Sequence, residues 1–334
     1  MAQDKRIGFV GLGTMGLPMA ENLVSAGFRV TGFDLSPKAC QALSASGGSI
    51  AASAAAAADG ADLVITMLPN ASHVRGALLG PLGIADTLGK DAVFVNMSTI
   101  LPQETDALAA DMKARGLRML DAPVGRSAIE ARRGALLILA SGEPENIRKA
   151  QFAFDVMGSQ TVDCGALGGG SRAKIVNNFM GISLNALTAE ALTLAEAAGI
   201  TINLALDVMR GTIAGLGHMN ITYPNKVLRG DLSAGFQVDL AHKDLGLAIE
   251  LAARNHVPVF MGAAALQSYS VARSLGRGAQ DYTAIYPVIR ELAGLPAEIP
   301  YTPTSQQEVD PFSKPKTSLP GSKTSLPGSK TATG

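Results

Sequence analysis

Two hydrophobic rhythms divide the chain. Over the first half, short apolar runs of strand length alternate with stretches whose apolar residues recur every three or four positions. The runs cover residues 6–10, 28–33, 62–67, 92–97, 117–120, 136–140 and 160–162. Leu17, Met19, Ala20, Leu23 and Val24 mark the first helical stretch. This alternation predicts a doubly wound, mostly parallel α/β sheet, a Rossmann domain. In such sheets ligands bind beyond the carboxyl ends of the strands. The loops expected there are 11–16, Asp34, Leu68-Pro69-Asn70, Ser98-Thr99 and 121–127, and they are expected to converge on one cleft. Residues 51–58 are nearly pure alanine and predict a short connecting helix that buries little.

From Gly168 the rhythm is helical only. Leu184, Leu187, Ala191, Leu194, Ala195 and Ala198 predict one helix ending at Gly199. At ~30 residues it would be a rod of roughly 45 Å, long enough to bridge two domains. Further helices are expected over 203–209, 240–253 and 263–274, so the second domain reads as all-α. Beyond residue 302 the segment Lys-Thr-Ser-Leu-Pro-Gly-Ser occurs twice in tandem, at 316–322 and 323–329. That composition cannot pack a core and predicts disorder. The expected division is therefore 1–164, a dinucleotide-binding Rossmann domain; 165–199, a hinge and long interdomain helix; 200–297, an all-helical domain; and 302–334, a tail.

The first turn carries the most specific chemistry. Gly11-Leu12-Gly13-Thr14-Met15-Gly16 lies between the first strand and the first helix, and Asp34 closes the second strand. In this context a GxGxxG pattern is a strong dinucleotide-binding signal. Gly11 allows the tight turn, Gly13 lets the backbone approach a pyrophosphate, and Gly16 lets helix and strand pack closely. The helix start then offers N–H groups and a positive dipole end to the phosphates. Asp34 can accept from both ribose hydroxyls and would repel a 2′-phosphate, which favours NAD over NADP. Met15 and Met67 read as packing residues placed where a nicotinamide or its ribose would rest.

Two further stretches are candidates. In Gly125-Arg126-Ser127, at the rim of the expected cleft, an always-charged guanidinium fork suits carboxylate, sulfonate or phosphate oxygens, and Ser127 adds a hydroxyl donor. Arg132 and Arg133 read as solvated. After the glycines of residues 165–170, the long helix brings Lys174 and Asn178 one turn apart on one face. A Lys partly buried beside a cofactor ring would have a lowered pKa and could act as general acid or base. Asn178 could hold the substrate oxygen, while Asn177 points about 100° away and could touch another part of the substrate. Lys243-Asp244 opens a helical run and by itself reads as a solvated charge.

Composition narrows the field. The 334 residues suit two domains, and 47% hydrophobic residues can fill their cores. Lys plus Arg equals Asp plus Glu at 28 each, which gives no general field for nucleic acid or an anionic membrane. Cys40 and Cys164 are too few for a disulfide framework and favour a reducing, cytoplasmic setting. The opening Met-Ala-Gln-Asp-Lys-Arg lacks the apolar core expected of a signal peptide, and no apolar run reaches the ~20 residues of a membrane span. The four histidines, His73, His218, His242 and His256, show no ligand spacing, so no metal is expected.

Together these residues resemble the 3-hydroxyisobutyrate dehydrogenase, or β-hydroxyacid dehydrogenase, family. The resemblance rests on the stretch 11–23, on Asp121-Ala-Pro-Val124, on Gly165, Gly168 and Gly170 with Lys174 and Asn178, and on Lys243-Asp-Leu245. It extends over residues 6–295. It implies a Rossmann domain, a long interdomain helix, an all-helical domain and assembly as a homodimer or homotetramer. It also implies NAD as cofactor, Lys174 as catalytic acid/base, and Lys243 in contact with the cofactor, in place of the solvated reading. Leu12, Thr14, Leu68, Pro69 and Thr99 complete the cofactor residues expected. Most members carry Val-Ser-Gly-Gly where this chain has Val124-Gly125-Arg126-Ser127. The Gly-Arg-Ser version is similar to members that reduce 3-sulfolactaldehyde to 2,3-dihydroxypropane-1-sulfonate with NADH during sulfoquinovose degradation. In those members the Arg and the first Asn grip the sulfonate, which carries over to Arg126 and Asn177. They have a serine where this chain has Gly181. The alternatives are a 3-hydroxyisobutyrate or 4-hydroxybutyrate dehydrogenase and, more remotely, a non-catalytic dinucleotide-binding module, although such relatives lose the Lys that this chain keeps.

Overall fold

The computed structural model describes residues 4–126, 128–218, 222–254, 256–299 and 301. The expected tail, 302–334, and Ser127 lie outside them. The chain divides into two compact units, Met1–Ser183 and Leu184–Gly334, and the division falls within one helix.

The first unit follows the predicted alternation. In chain order it runs β1 (Arg6–Val10), α1 (Gly16–Ser25), β2 (Arg29–Phe33), α2 (Pro37–Ala45), β3 (Ser49–Ile50), α3 (Ala54–Ala58), β4 (Leu63–Thr66), α4 (Ala71–Leu79), β5 (Val93–Asn96), α5 (Pro102–Ala114), β6 (Arg118–Asp121), β7 (Val124–Gly125), α6 (Ala128–Arg132), β8 (Leu136–Ala140), α7 (Pro144–Met157) and β9 (Gly158–Asp163). Strands β1 to β6 form one parallel sheet in the order β3-β2-β1-β4-β5-β6. Successive side chains of its strands enter opposite cores, as a period of two requires. Phe9, Val93 and Val95 pack in one core with Leu23 and Phe154, while Val10, Phe94 and Val64 pack in the other with Leu78 and Met112. Both faces of the sheet are therefore covered, which is why β4 and β5 are apolar without alternation.

The structure corrects three expectations. The sheet is not continuous: β7, β8 and β9 form a second, three-stranded sheet in which β7 runs antiparallel to β8. An isolated bridge between Asp121 and Ser141 links the chain near the ends of β6 and β8. Gly125 is not a loop residue but the last residue of β7, paired with Leu137. The alanine helix α3 is largely buried, with Ala54, Ala55, Ala57 and Ala58 all inaccessible. Its small side chains let its backbone meet the sheet directly, since a Cβ on Gly8 of β1 would lie 2.3 Å from the Ala57 carbonyl oxygen.

Helix starts are satisfied locally. The Ser36, Ser53 and Asn70 side chains accept from the backbone N–H groups of Ala39, Ala56 and His73. Gly165 and Gly168, at φ of +78° and +89°, lead into α8 (Gly169–Ala197), whose 29 residues match the long helix expected. In the second unit follow α9 (Ile202–Arg210), α10 (Ile213–Gly217), α11 (Tyr223–Asn225), α12 (Val238–Arg254), α13 (Phe260–Ser274) and α14 (Ile285–Leu292). Among the described residues of this unit the named elements are all helical. A small core of Val238, Ala272, Ala284 and Val288 holds α12, α13 and α14 together. No helix among the described residues is long and apolar enough to cross a membrane.

The tight approach of α3 to β1 makes a prediction. Gly8→Ala forces the two backbones apart and should destabilise the first unit by about 1–3 kcal/mol, the range for overpacking a core. Urea unfolding followed by circular dichroism measures it, and an unchanged midpoint would show that the helix can shift freely.

Candidate active site

The loop after β1 is shaped by its glycines. Gly11 has φ +97°, a region that favours glycine. A Cβ on Gly16 would lie 1.9 Å from the Gly11 carbonyl oxygen, so α1 can begin there only without a side chain. At Gly13 an added Cβ would meet nothing within 4 Å, so its backbone faces open space. The N-cap residue of α1, Met15, makes no side-chain capping bond. The Leu17 N–H is taken by the Gly13 carbonyl and Pro18 has none, so this helix start offers a ligand chiefly its positive dipole end. Gly11, Gly13, Thr14, Met15, Gly16, Asp34, Met67, Leu68 and Pro69 line a cleft of about 280 Å³. A neighbouring cleft of about 570 Å³ shares Gly11, Asp34, Leu68 and Pro69 as walls.

Asp34 is tied into this loop. One carboxylate oxygen accepts from the Leu12 N–H at 2.6 Å and the other from the Ser36 N–H at 2.7 Å. Each oxygen keeps a second lone pair, so two ribose hydroxyls can still be received. Leu12 acts differently from its neighbours: its side chain is core, and its backbone positions Asp34. Thr99 is exposed and is not among the residues that line either cleft. The larger cleft has walls that sequence reading missed, among them Leu35, Ala54, Ala77, Pro81 and Leu82. They offer flat apolar surface for an aromatic base, and the exposure of Leu35 and Leu82 reflects this position. The fit to a dinucleotide is good: an uncapped helix start for phosphates, a carboxylate for ribose, and apolar walls for a base.

The other candidate residues stand on separate elements, Lys174, Asn177 and Asn178 on α8, Arg126 after β7 and Lys243 on α12. Lys174 is half-buried, and burial holds its pKa below the ordinary lysine value. Asn178 is half-buried and Asn177 exposed, as their spacing on the helix requires. Gly181 also lies in α8. Arg126 has φ +76°, an uncommon conformation for a residue with a side chain. Its Nη1 donates to the Ala135 carbonyl and to the Ser159 hydroxyl, both at 2.6 Å. Among the described residues these two bonds hold the fork on its Nη1 side. Lys243 is exposed on α12 of the second unit.

Sequence reading gave no role to the polar cluster under the start of α8. Asp121 is fully buried at the end of β6. It receives the Ser171 N–H at 2.7 Å and the Ser171 hydroxyl at 2.8 Å, one on each carboxylate oxygen. Ser141 donates to the Asp121 carbonyl at 3.0 Å and lies 3.4 Å from its carboxylate. Burial pushes the Asp121 pKa up, against these donors and the nearby Arg172. The folded chain therefore holds this proton more tightly than the unfolded chain. The resulting stability is present below the usual carboxylate range and is lost as pH rises above it. The signal in the sequence was the adjacency of Asp121 to the Ala-Pro-Val-Gly-Arg loop, but its partners lie far along the chain.

Among the described residues no group of three or more His, Cys, Asp or Glu side chains is arranged to hold a metal ion. His242 is instead bonded to Ser270 and Arg273.

Comparison with known proteins agrees with this geometry. Residues 6–168 match the family model described as the NAD binding domain of 6-phosphogluconate dehydrogenase. Residues 168–289 match that described as NAD-binding of NADP-dependent 3-hydroxyisobutyrate dehydrogenase. The fold and site thus define an NAD-dependent oxidoreductase of the hydroxyacid dehydrogenase type. More particularly, the chain belongs to the 3-hydroxyisobutyrate dehydrogenase family. It is 47% identical over 293 residues to a 3-sulfolactaldehyde reductase of Escherichia coli (strain K12), covering 88% of this chain and 98% of that protein. It is 36% identical to an NAD-dependent L-serine dehydrogenase of Pseudomonas aeruginosa, covering 84% and 96%. A solved structure of Mycobacterium tuberculosis 3-hydroxyisobutyrate dehydrogenase with L-serine superposes with a TM-score of 0.61 at 31% identity, covering 86% of this chain and 99% of that one.

The open space at Gly13 separates binding from folding. Gly13→Ala should leave the unfolding midpoint unchanged, because the added Cβ meets nothing within 4 Å. It should weaken NADH binding by at least about tenfold, or about 1.4 kcal/mol, because the phosphates need that space. Fluorescence titration with NADH reads the second effect, and wild-type affinity would exclude this loop as the phosphate cradle.

Proposed function

We propose that the protein reduces 3-sulfolactaldehyde to 2,3-dihydroxypropane-1-sulfonate with NADH. The observation that carries this reading is 47% identity to a 3-sulfolactaldehyde reductase across 98% of that relative's length. Bound NADH supplies the hydride to the aldehyde carbon. Lys174 gives its proton to the aldehyde oxygen, and Asn178, one turn on, holds that oxygen. Arg126 takes the sulfonate on the other side of its fork, with Asn177, Gly125 and Ser127 beside it. Asp34 selects NAD over NADP by repelling a 2′-phosphate. The phosphates lie on Gly11, Gly13, Thr14 and Gly16, with Met15, Met67, Leu68, Pro69 and Thr99 toward the nicotinamide half and Lys243 in contact with the cofactor.

The half-burial of Lys174 supports the acid role, because an amine poised below its ordinary pKa gives up a proton more readily. The Nη1 bonds of Arg126 support the anion role, since they hold the fork on one side only. Exposed apolar side chains in the second unit, among them Leu184, Leu187, Leu204, Val208 and Phe260, support assembly into a homodimer or homotetramer. A cytoplasmic place in sulfonated-sugar breakdown follows from the same substrate. A 3-hydroxyisobutyrate dehydrogenase is the second reading, favoured by the family model over residues 168–289.

A kinetic panel tests the reading. 3-Sulfolactaldehyde should exceed carboxylate aldehydes in kcat/KM, and NADH should exceed NADPH; equal use of both cofactors would refute the role of Asp34. Arg126→Ala should raise KM for the sulfonated aldehyde roughly 30-fold, the scale of about 2 kcal/mol for a charge-assisted bond. Lys174→Ala should abolish turnover with NADH binding intact. Reduction requires the protonated amine, so kcat/KM should fall with rising pH at a midpoint below the ordinary lysine value of 10.5. Alcohol oxidation, which requires the free amine, should rise through the same range. A pH-independent profile in Lys174→Ala with residual activity near wild type would exclude this acid.

A further inference from the structure

The helix that carries Lys174 does not begin freely. Its first turn is held from three sides, all within the first unit. On the side of β6, the buried Asp121 carboxylate accepts the Ser171 N–H at 2.7 Å on one oxygen and the Ser171 hydroxyl at 2.8 Å on the other. On the side of α5, the buried Thr105 hydroxyl lies 2.8 Å from the Ser171 hydroxyl. The Ser171 proton is directed at Asp121, so Thr105 is the donor in that pair, and the chain of hydroxyls ends on the carboxylate. On the side of β8, the Ser141 hydroxyl oxygen accepts the Gly170 N–H at 3.0 Å. Gly170 itself sits so close that a Cβ would lie 2.3 Å from the Leu139 carbonyl oxygen and 3.0 Å from that of Asp121. Outside this cluster, Arg172 bonds to Asp106 on α5.

Helical geometry connects this anchor to the chemistry. Ser171, Lys174 and Asn178 stand at i, i+3 and i+7, so they share one face. Whatever fixes the rotation of Ser171 about the helix axis fixes the direction in which Lys174 and Asn178 project. A carboxylate with a separate bond on each oxygen fixes that rotation better than a single cap, because turning the helix breaks both bonds at once.

We propose that Asp121 is a positioning residue of the reaction: with Ser171 and Thr105 it sets the rotation of α8 and thereby aims Lys174 and Asn178 at the reacting oxygen. The proposal rests on the reading of Lys174 as general acid. It needs no contact between Asp121 and substrate or cofactor. A misplacement of ~1 Å at a catalytic group can lower the rate ~100-fold, which sets the expected scale.

The test uses the full chain with NADH and 3-sulfolactaldehyde, in the variants Asp121→Asn, Ser171→Ala and Thr105→Val. Asp121→Asn should lower kcat about 10- to 100-fold, because an amide cannot accept on both sides. Ser171→Ala should fall between it and wild type, and Thr105→Val, which keeps shape and loses one hydroxyl, should lose a few-fold. KM for NADH should stay within about threefold, because the cradle of Gly11, Gly13 and Asp34 is built on other loops. The kinetic isotope effect with 4-deuterated NADH should rise as the chemical step becomes slower than release. Should Asp121→Asn not fold, the other two variants decide. Wild-type kcat in every folded variant, or loss of kcat only in proportion to the unfolded fraction, overturns the proposal. Lys174→Ala separates this failure from failure of the reading beneath it. An inactive Lys174→Ala beside wild-type Asp121 variants removes only the positioning role, whereas an active Lys174→Ala removes the general acid and the proposal with it.

Discussion

Among the points in the first unit where backbone meets backbone with no room for a Cβ, three seat a helix. A side chain at Gly16 would strike the Gly11 carbonyl, one at Gly8 the Ala57 carbonyl, and one at Gly170 the Leu139 carbonyl. Each contact fixes an element on which the rest depends. The first places the start of α1 against its own loop, so the positive end of the helix dipole faces the cleft. The second lets α3 lie flat on the central strand and close one face of the sheet. The third seats α8 at the ends of β6 and β8, where its first turn reaches Asp121. Apolar burial supplies most of the folding free energy, but it is non-directional and cannot by itself decide these placements.

The legible part of the molecule is the part whose signals are local. The parallel sheet followed from apolar runs separated by helical spacing, because β4 and β5 must be apolar on both faces. The loop of Gly11, Gly13 and Gly16 was readable because turn, close approach and packing act within a few residues of one another. The same holds for Lys174 and Asn178, whose shared face follows from helical geometry alone. The break of the sheet into two was not readable. It depends on β7 turning back antiparallel against β8, a pairing of two residues with no alternation to announce it. The burial of α3 was hidden for a related reason. Alanine signals helix but not depth, and the depth is decided by a glycine on another strand.

The anion site shows how local and distant information combine. Arg126 stood out in the sequence because a guanidinium between glycine and serine has no packing task. The direction of its fork could not be inferred there. It depends on the Ala135 carbonyl and the Ser159 hydroxyl, which hold Nη1, and on the left-handed backbone at Arg126 itself. A residue with a side chain adopts that backbone only where its surroundings enforce it. In the proposed reading, discrimination among small acids depends on how Arg126 is held as much as on its being an arginine.

The half-buried Lys174 and the buried Asp121 are shifted for the same reason, yet the consequences differ. Burial disfavours the charged form of each, lowering the pKa of the lysine and raising that of the aspartate. For Lys174 the shift suits the proposed general acid, because an amine with a lowered pKa gives up its proton more readily. For Asp121 it does not, since a neutral carboxyl would have to use its proton as a donor where Ser171 already presents two donors. The Ser171 N–H and hydroxyl each bond one oxygen of the Asp121 carboxyl, and they oppose burial without outweighing it. The carboxyl lies at the amino end of α8, where a helix dipole favours a negative group. A group bonded on both oxygens by one residue acts through direction rather than affinity. What it directs is the turn of helix that ends at Lys174.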